Sequence, residues 1–377
     1  MLGLTGILAF LTGYIVPFVL VLSLLVFVHE MGHYLVGRWS GIRILAFSIG
    51  FGPELLGFTD KHGTRWKLSL IPLGGYVRFF GDEDVSSRPD DDKLASMSEE
   101  DRARSFAGAK LWKRAATVAA GPIANFILAI AIFAVLFSIY GRSVADPVVA
   151  EVKPGSVAAE AGVVPGDLLI AIDGTRVETF DDVRRYVSIR PEQQIVVTIE
   201  RNGQKLDVPM VPARTDMTDQ FGNKIEIGLI GIVTNQEVGH FRVQTYSPLE
   251  AVKEGAIQTW HIVTGTFKYI GNLISGYMKP DQLGGPIRVA QASGQMATLG
   301  VAALLQLAAV LSVSIGLLNL MPVPVLDGGH LMFYAIEAVR GKPLGSSAQD
   351  IAFRIGLAMV LSLMVFATWN DISALIG

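Results

Sequence analysis

The sequence predicts a polytopic α-helical membrane protein. It should have four transmembrane helices, a re-entrant β-hairpin between the first two, and an α+β domain inserted between the second and third. Three observations carry this. The 377 residues are 51% hydrophobic and 17% charged, with mean hydropathy +0.45, too apolar for a soluble protein and too charged to be membrane throughout. Four stretches, about 12–36, 115–140, 301–322 and 351–371, are long and apolar enough to cross a bilayer. Between them the chain turns to short alternating runs broken by Gly, Pro, Asn and Asp, the pattern of strands. A net charge of -3 gives no support to nucleic-acid binding, and zero cysteines exclude disulfides, thiolate-held zinc and a thiol nucleophile.

The N-terminal membrane half is expected over 1–140. No Lys or Arg precedes Arg38, so the basic n-region of a cleaved signal peptide is lacking and the first segment reads as a retained span. Within that span lies His29-Glu30-Met31-Gly32-His33. Two histidines four apart share one helix face and can grip one metal ion, and the glutamate beside them can act as general base on metal-activated water. Ionisable groups at mid-span cost about 2.5–3.5 kcal/mol to insert, so they read as functional. Basic residues from Arg38 to Arg114 mark the following loop as cytoplasmic, with the HExxH run in the cytoplasmic half of its span.

Residues 44–80 hold two apolar, Gly- and Pro-rich strands joined by a polar turn at Thr59–Thr64. A sheet enters a bilayer only where protein shields its edges, so a re-entrant β-hairpin packed on the metal site is expected, with a cytoplasmic hairpin as the alternative. Gly74, Gly75 and Tyr76 are placed to pair with an extended substrate. Residues 81–112 are acidic and solvated. The second span carries Gly121-Pro122-Ile123-Ala124-Asn125, and Asn125, its sole amide, either joins helices or orients the metal site or substrate.

Residues 145–214 change character. The run Pro154-Gly155-Ser156-Val157-Ala158-Ala159-Glu160-Ala161-Gly162, then Pro165-Gly166-Asp167-Leu168-Leu169-Ile170-Ala171-Ile172-Asp173-Gly174, resembles a PDZ domain, a fold that takes an extended peptide as an extra strand. A helix over 179–189 and a hairpin turning at Asn202-Gly203 complete it. Residues 215–297 read as a strand near 225–232 and an amphipathic helix, Pro248 to Ile274, lying on the membrane surface.

The C-terminal membrane half, 298–377, opens with the third span, which runs into Asn319-Leu320-Met321-Pro322-Val323-Pro324-Val325-Leu326-Asp327-Gly328-Gly329-His330. A catalytic zinc takes three protein ligands. Asp327 is the best third ligand on offer, and His330 the competitor. His62, His240 and His261 are assigned no ligand role. Basic residues Arg340, Lys342 and Arg354 flank the loop before the last span, which puts both termini outside.

Taken together, HEMGH, NLMPVPVLDGG and the inserted PDZ-like domain resemble the site-2 protease family of intramembrane zinc metalloproteases, in the bacterial regulator-of-sigma-E protease branch, here with a single PDZ domain. The resemblance implies one Zn²⁺ per chain on His29, His33 and Asp327, with Glu30 as catalytic base. It also implies that Asn319 and the Pro322/Pro324 turn hold the substrate backbone. Implied partners are the lipid bilayer and transmembrane substrates such as anti-sigma factors or signal-peptide remnants, pre-trimmed by a first protease. The implied location is the bacterial inner membrane, with the PDZ domain periplasmic. The rival is an inactive membrane scaffold that binds peptides. Intact Glu30 counts against it, because a closed structural site needs no base.

Overall fold

The computed structural model describes residues 11–81, 97–218, 224–235, 241–277 and 284–376. Residues 82–96 of the expected acidic loop, and His240, lie outside them. The chain forms two units, 1–133 with 284–375, and 134–283 with the last two residues.

In the first unit, a π-helical turn Leu11–Ile15 leads into α1 (Val16–Trp39). This helix stops three residues beyond the expected end of the span. There the Ile42 N–H donates to the Gly37 carbonyl at 3.0 Å, and Gly41 adopts φ +82°, a left-handed value open to glycine. Strands β1 (Ile44–Thr59) and β2 (Arg65–Phe79) pair antiparallel, and each folds back on itself. Phe47 pairs with both Trp66 and Val77, while Phe58 also pairs with Trp66. The order across this sheet is therefore 54–59, 65–69, 44–49, 75–79. The bends fall at Gly50, Gly52 and Gly74, all with positive φ. The 44–49 segment is anchored by Phe47, which is 1% exposed and packs edge-on to Phe27 and Tyr34. A short helix α2 (Glu99–Arg104) precedes α3 (Leu111–Ile139).

The second unit follows with β3 (Arg142–Val144), β4 (Glu151–Val152), α4 (Val157–Glu160), β5 (Leu168–Ile172), β6 (Thr175–Arg176), α5 (Phe180–Ser188), β7 (Ile195–Arg201) and β8 (Gln204–Met210). Strands order as β6-β5-β7-β8 over a core of Val149, Leu169, Ile172, Val183, Ile195 and Ile199. Thr179 and Asp182 form a capping box that starts α5. Asn202 and Gly203 both take positive φ, as a tight hairpin turn requires. The single strand expected near 225–232 is instead interrupted. After β9 (Ala213–Thr218), β10 (Lys224–Leu229) ends, Gly231 turns at φ +82°, and β11 (Ile232–Val233) pairs with β4. Beyond β12 (Arg242–Gln244), α6 spans Pro248–Ile274, started by a Ser247/Glu250 capping box.

The first unit resumes with α7 (Pro286–Thr298). The sequence pattern places residues up to 297 in the region outside the membrane, whereas 284–375 belong to the unit that holds the spanning helix α1. The Asp371 carboxylate accepts from the N–H groups of Gly285, Ile287 and Arg288 at 2.8–3.0 Å, and Gly294 lies against Tyr14. The cap comes from a residue more than 80 positions away, which local pattern does not reveal. Next come α8 (Val301–Leu320), α9 (Asp327–Arg340) and α10 (Ser346–Ile376). Helix α8 ends two residues short of the expected span. Met321 is extended, and Pro322 and Pro324 have no N–H to continue a helix. Among the described residues four helices are long and apolar enough to cross a membrane: Thr12–Trp39, Leu111–Ile139, Val301–Leu320 and Ser347–Ala374.

Candidate active site

On α1, His29 and His33 project one turn apart from the same face. Their Nε2 atoms lie 3.2 Å from each other, and Asp327 Oδ2, at the first residue of α9, lies 3.1 Å from His29 Nε2 and 3.5 Å from His33 Nε2. Among the described residues these three form the one His/Asp/Glu group compact enough to hold a metal ion. His330 is not in it; its ring packs against Phe353 at 5.4 Å. Neither His62, in the β1–β2 turn, nor His261, on α6, is in the group.

The tautomers explain why such close approach needs a cation. His33 Nδ1 donates to the Thr117 carbonyl at 2.9 Å, so in the neutral ring Nε2 carries a lone pair. Asn125 lies behind His29 with its side-chain amide nitrogen 3.3 Å from His29 Nδ1, while its own Oδ1 is buried without a partner. With the amide turned over, Oδ1 accepts from His29 Nδ1–H, and Nε2 is again left bare. Asp327 Oδ2 is also buried with no hydrogen bond. Three lone-pair donors then face one another with no proton between them, a repulsive arrangement that a metal ion relieves. Two imidazoles and a carboxylate match the ligand set of a catalytic zinc, which keeps one coordination position open.

Close helix packing makes this possible. A Cβ on Gly32 would overlap the Ala120 carbonyl, and one on Gly121 would overlap the His33 ring and lie 2.9 Å from His29 Cε1. On the other side of α3, the Asn125 carbonyl accepts from Ser312 Oγ at 2.8 Å, and Gly316 meets the Pro122 carbonyl. Asp327 is set by a tight loop, since Cβ atoms on Gly328 and Gly329 would overlap the carbonyls of Leu320 and Val323.

A cavity of about 310 Å³ opens over the cluster. Glu30 lines it, as do Asn319, Gly74, Gly75 and Tyr76. Asn125 supports the cluster from behind rather than facing this space. Pro322 and Pro324 do not line it either; the Pro324 carbonyl abuts Gly356 of α10. Three further contributors carry no individual role in the sequence analysis. Thr117 acts through its backbone, and Gly121 through the absence of a side chain. Val325 lines the cavity at φ +99°, a strained value for a β-branched residue. No side-chain chemistry marks any of the three. The Gly-Pro pair at 121–122 was the one visible signal.

Comparison with known proteins points the same way. The model of "Peptidase family M50" matches residues 17–363. A relative in Agrobacterium fabrum named as a zinc metalloprotease is 74% identical over 98% of both chains, and one so named in Rhizobium meliloti is 70% identical over 97% of this chain and 98% of its own. "Metalloprotease MmpA" of Caulobacter vibrioides is 38% identical over 95% of each. A solved PDZ domain of an SdrC-like protein from Listeria monocytogenes aligns with 24% of this chain and 90% of its own, at 19% identity and a TM-score of 0.19, too slight a likeness to argue from. A match across nearly the whole length, together with the site geometry, leaves one assignment: this multi-pass membrane protein belongs to peptidase family M50 and is a zinc metalloprotease.

Proposed function

We propose that the protease hydrolyses peptide bonds within transmembrane segments of other membrane proteins, in the cytoplasmic half of the bacterial inner membrane. The observation that carries this reading is the placement of His29, His33 and Glu30 inside a helix long and apolar enough to span the membrane, each less than a tenth exposed. His29, His33 and Asp327 would hold the zinc. When bound there, zinc polarises a carbonyl and brings the pKa of water toward about 7. Glu30 serves as proton carrier, taking the proton of the attacking water and passing it to the leaving amine.

A helical substrate hides its carbonyls in its own hydrogen bonds and must unwind to react. Segment 75–79 pairs on one side with 44–49, and its beginning, Gly75 to Val77, lines the cavity. It is suited to take an extended substrate as the next strand, opposite Asn319. Two features support a membrane-embedded hairpin. Gly75 packs against Val26 and Glu30 at mid-helix, and the hairpin exposes Leu55, Leu56, Phe58, Leu70 and Ile71. In this reading the turn formed by Pro322 and Pro324 keeps Asn319 and Val325 against the substrate, the PDZ domain lies outside the cytoplasm and excludes bulky exterior domains, and α6 lies on the membrane surface. Substrates would be anti-sigma factors or signal-peptide remnants already trimmed by another protease.

The test pairs the purified parent with its Glu30→Gln variant in detergent, measuring zinc content and cleavage of a model transmembrane peptide. Zinc in both and cleavage by the parent alone supports the reading. Cleavage by both would remove Glu30 from its role. Cleavage of soluble unfolded peptides but never of a membrane-spanning one would overturn the substrate class.

A further inference from the structure

A second cavity, of about 420 Å³, lies at the end of α1, lined by Arg38, Gly41, Ile42, Arg43, Ile44, His62 and Arg104. Among the described residues, three arginines converge on it and no carboxylate lines it. Arg43 lies over the Phe80 ring at 5.2 Å, Arg38 touches the Tyr34 hydroxyl at 3.4 Å, and Arg104 pairs with the exposed Glu100. Nor does the negative end of α1 neutralise them. Its last carbonyls are taken by the N–H groups of Ser40, Gly41 and Ile42, and Lys113 Nζ donates to the Ser40 carbonyl at 2.7 Å.

The level of this cavity relative to the bilayer follows from two tryptophans. Trp39 at the end of α1 and Trp112 at the start of α3 are 79% and 64% exposed, and both sit at the edge of a spanning helix. Exposed tryptophans at span ends mark the headgroup layer. Arg38 is one residue from Trp39, so the cavity opens where lipid phosphates lie. Basic pockets at this level bind anionic headgroups, and arginine forks suit phosphate oxygens.

We propose that Arg38, Arg43 and Arg104, with His62 at the rim, form a binding site for the phosphodiester headgroup of an anionic phospholipid. The site is separate from the catalytic cavity and would seat the cytoplasmic end of α1 and the adjoining sheet in the bilayer.

The test is lipid selection by the full chain in bilayers, read by electron paramagnetic resonance of spin-labelled phosphatidylglycerol against phosphatidylcholine. The parent should select phosphatidylglycerol about fivefold, as a few basic contacts at a surface allow. R43Q and R104Q, both exposed positions with little to lose in folding, should each lower the selection, and R38Q/R43Q/R104Q should abolish it. Selection unchanged in the triple variant overturns the proposal. Millimolar inorganic phosphate at matched ionic strength should leave the selection standing; if it removes it, the cavity is a free-phosphate site and the lipid assignment fails. Asp90, Asp91 and Asp92 are the alternative occupant within this chain. Neutralising them should change nothing, and selection that appears only in that variant would give the cavity to the acidic stretch.

Discussion

Gly121 stands against His33 so closely that a methyl group there would overlap the imidazole. The metal cluster is thus shaped by α3 as much as by the helix that carries its histidines. Gly121→Ala should displace both rings, and purified protein should retain less than about a tenth of the parent's zinc by elemental analysis, given the sensitivity of such sites to ligand placement. Ala at Gly265, where nothing lies within 4 Å of a new Cβ, is the control.

Asn125 should act through its carbonyl oxygen. Asn125→Ala removes the acceptor behind His29 and should weaken zinc binding about 10–100-fold in chelator competition. Asn125→Asp keeps an acceptor and should retain most of the affinity. Equal loss in both would show that the amide nitrogen, not the oxygen, faces the ring.

Gly75 separates the sheet from Glu30, the proposed proton carrier. A Cβ there would lie 2.7 Å from the Ser48 carbonyl oxygen, 2.8 Å from a Val26 methyl and 3.0 Å from Glu30 Cγ. Gly75→Ala should therefore spare zinc content and cut kcat by about 10²-fold, the scale expected for small misplacement of a catalytic group. Zinc loss in this variant would mean that the sheet supports the metal cluster itself.

Arg114 grips Glu337 through two bonds, at 2.6 and 3.2 Å, with both side chains about five-sixths covered. This pair ties α3 to α9, whose first residue is Asp327. Removing one partner strands the other charge at a cost of about 3 kcal/mol. Arg114→Ala should lower the thermal midpoint and speed zinc loss, and the swap R114E/E337R should recover part of both.

Asp60 in the β1–β2 turn gives a pH prediction. Burial raises its pKa, but hydrogen bonds from Trp66, the Thr64 and His62 N–H groups and Tyr34 prevail and hold it at about 2. Its contribution is complete above the ordinary value of 3.8 and fades as pH falls toward about 2. Asp60→Asn should cost about 1 kcal/mol near neutral pH, since solvent screens the turn, and the deficit relative to the parent should shrink between pH 4 and pH 2. An unchanged deficit across that range would remove the carboxylate as its source.

Much of this protein was legible in its sequence because bilayer physics writes long signals. A span needs about twenty apolar residues, so all four spanning helices were visible, with ends off by a few residues where a Gly41 turn or a Pro322 stop decided. The hairpin was visible as strands and a turn, but its double-back was not. That depends on Gly50, Gly52 and Gly74 bending a strand so that Phe47 meets two partners. Helix α7 was missed because its cap, Asp371, is distant in sequence.

By itself the sequence determined the chemistry on offer: two histidines one turn apart, a glutamate beside them, and an aspartate after a proline-broken helix, all in apolar surroundings. Spacing along one helix is local geometry, so it can be read from a string. The sequence favoured Asp327 over His330 as third ligand, and tertiary structure brought Asp327 to the histidines. Tertiary structure alone decided that Thr117 and Asn125 are placed to set their tautomers, and that glycines at 32 and 121 let two helices approach closely enough. Those outcomes rest on packing between segments up to 300 residues apart, which no local pattern encodes.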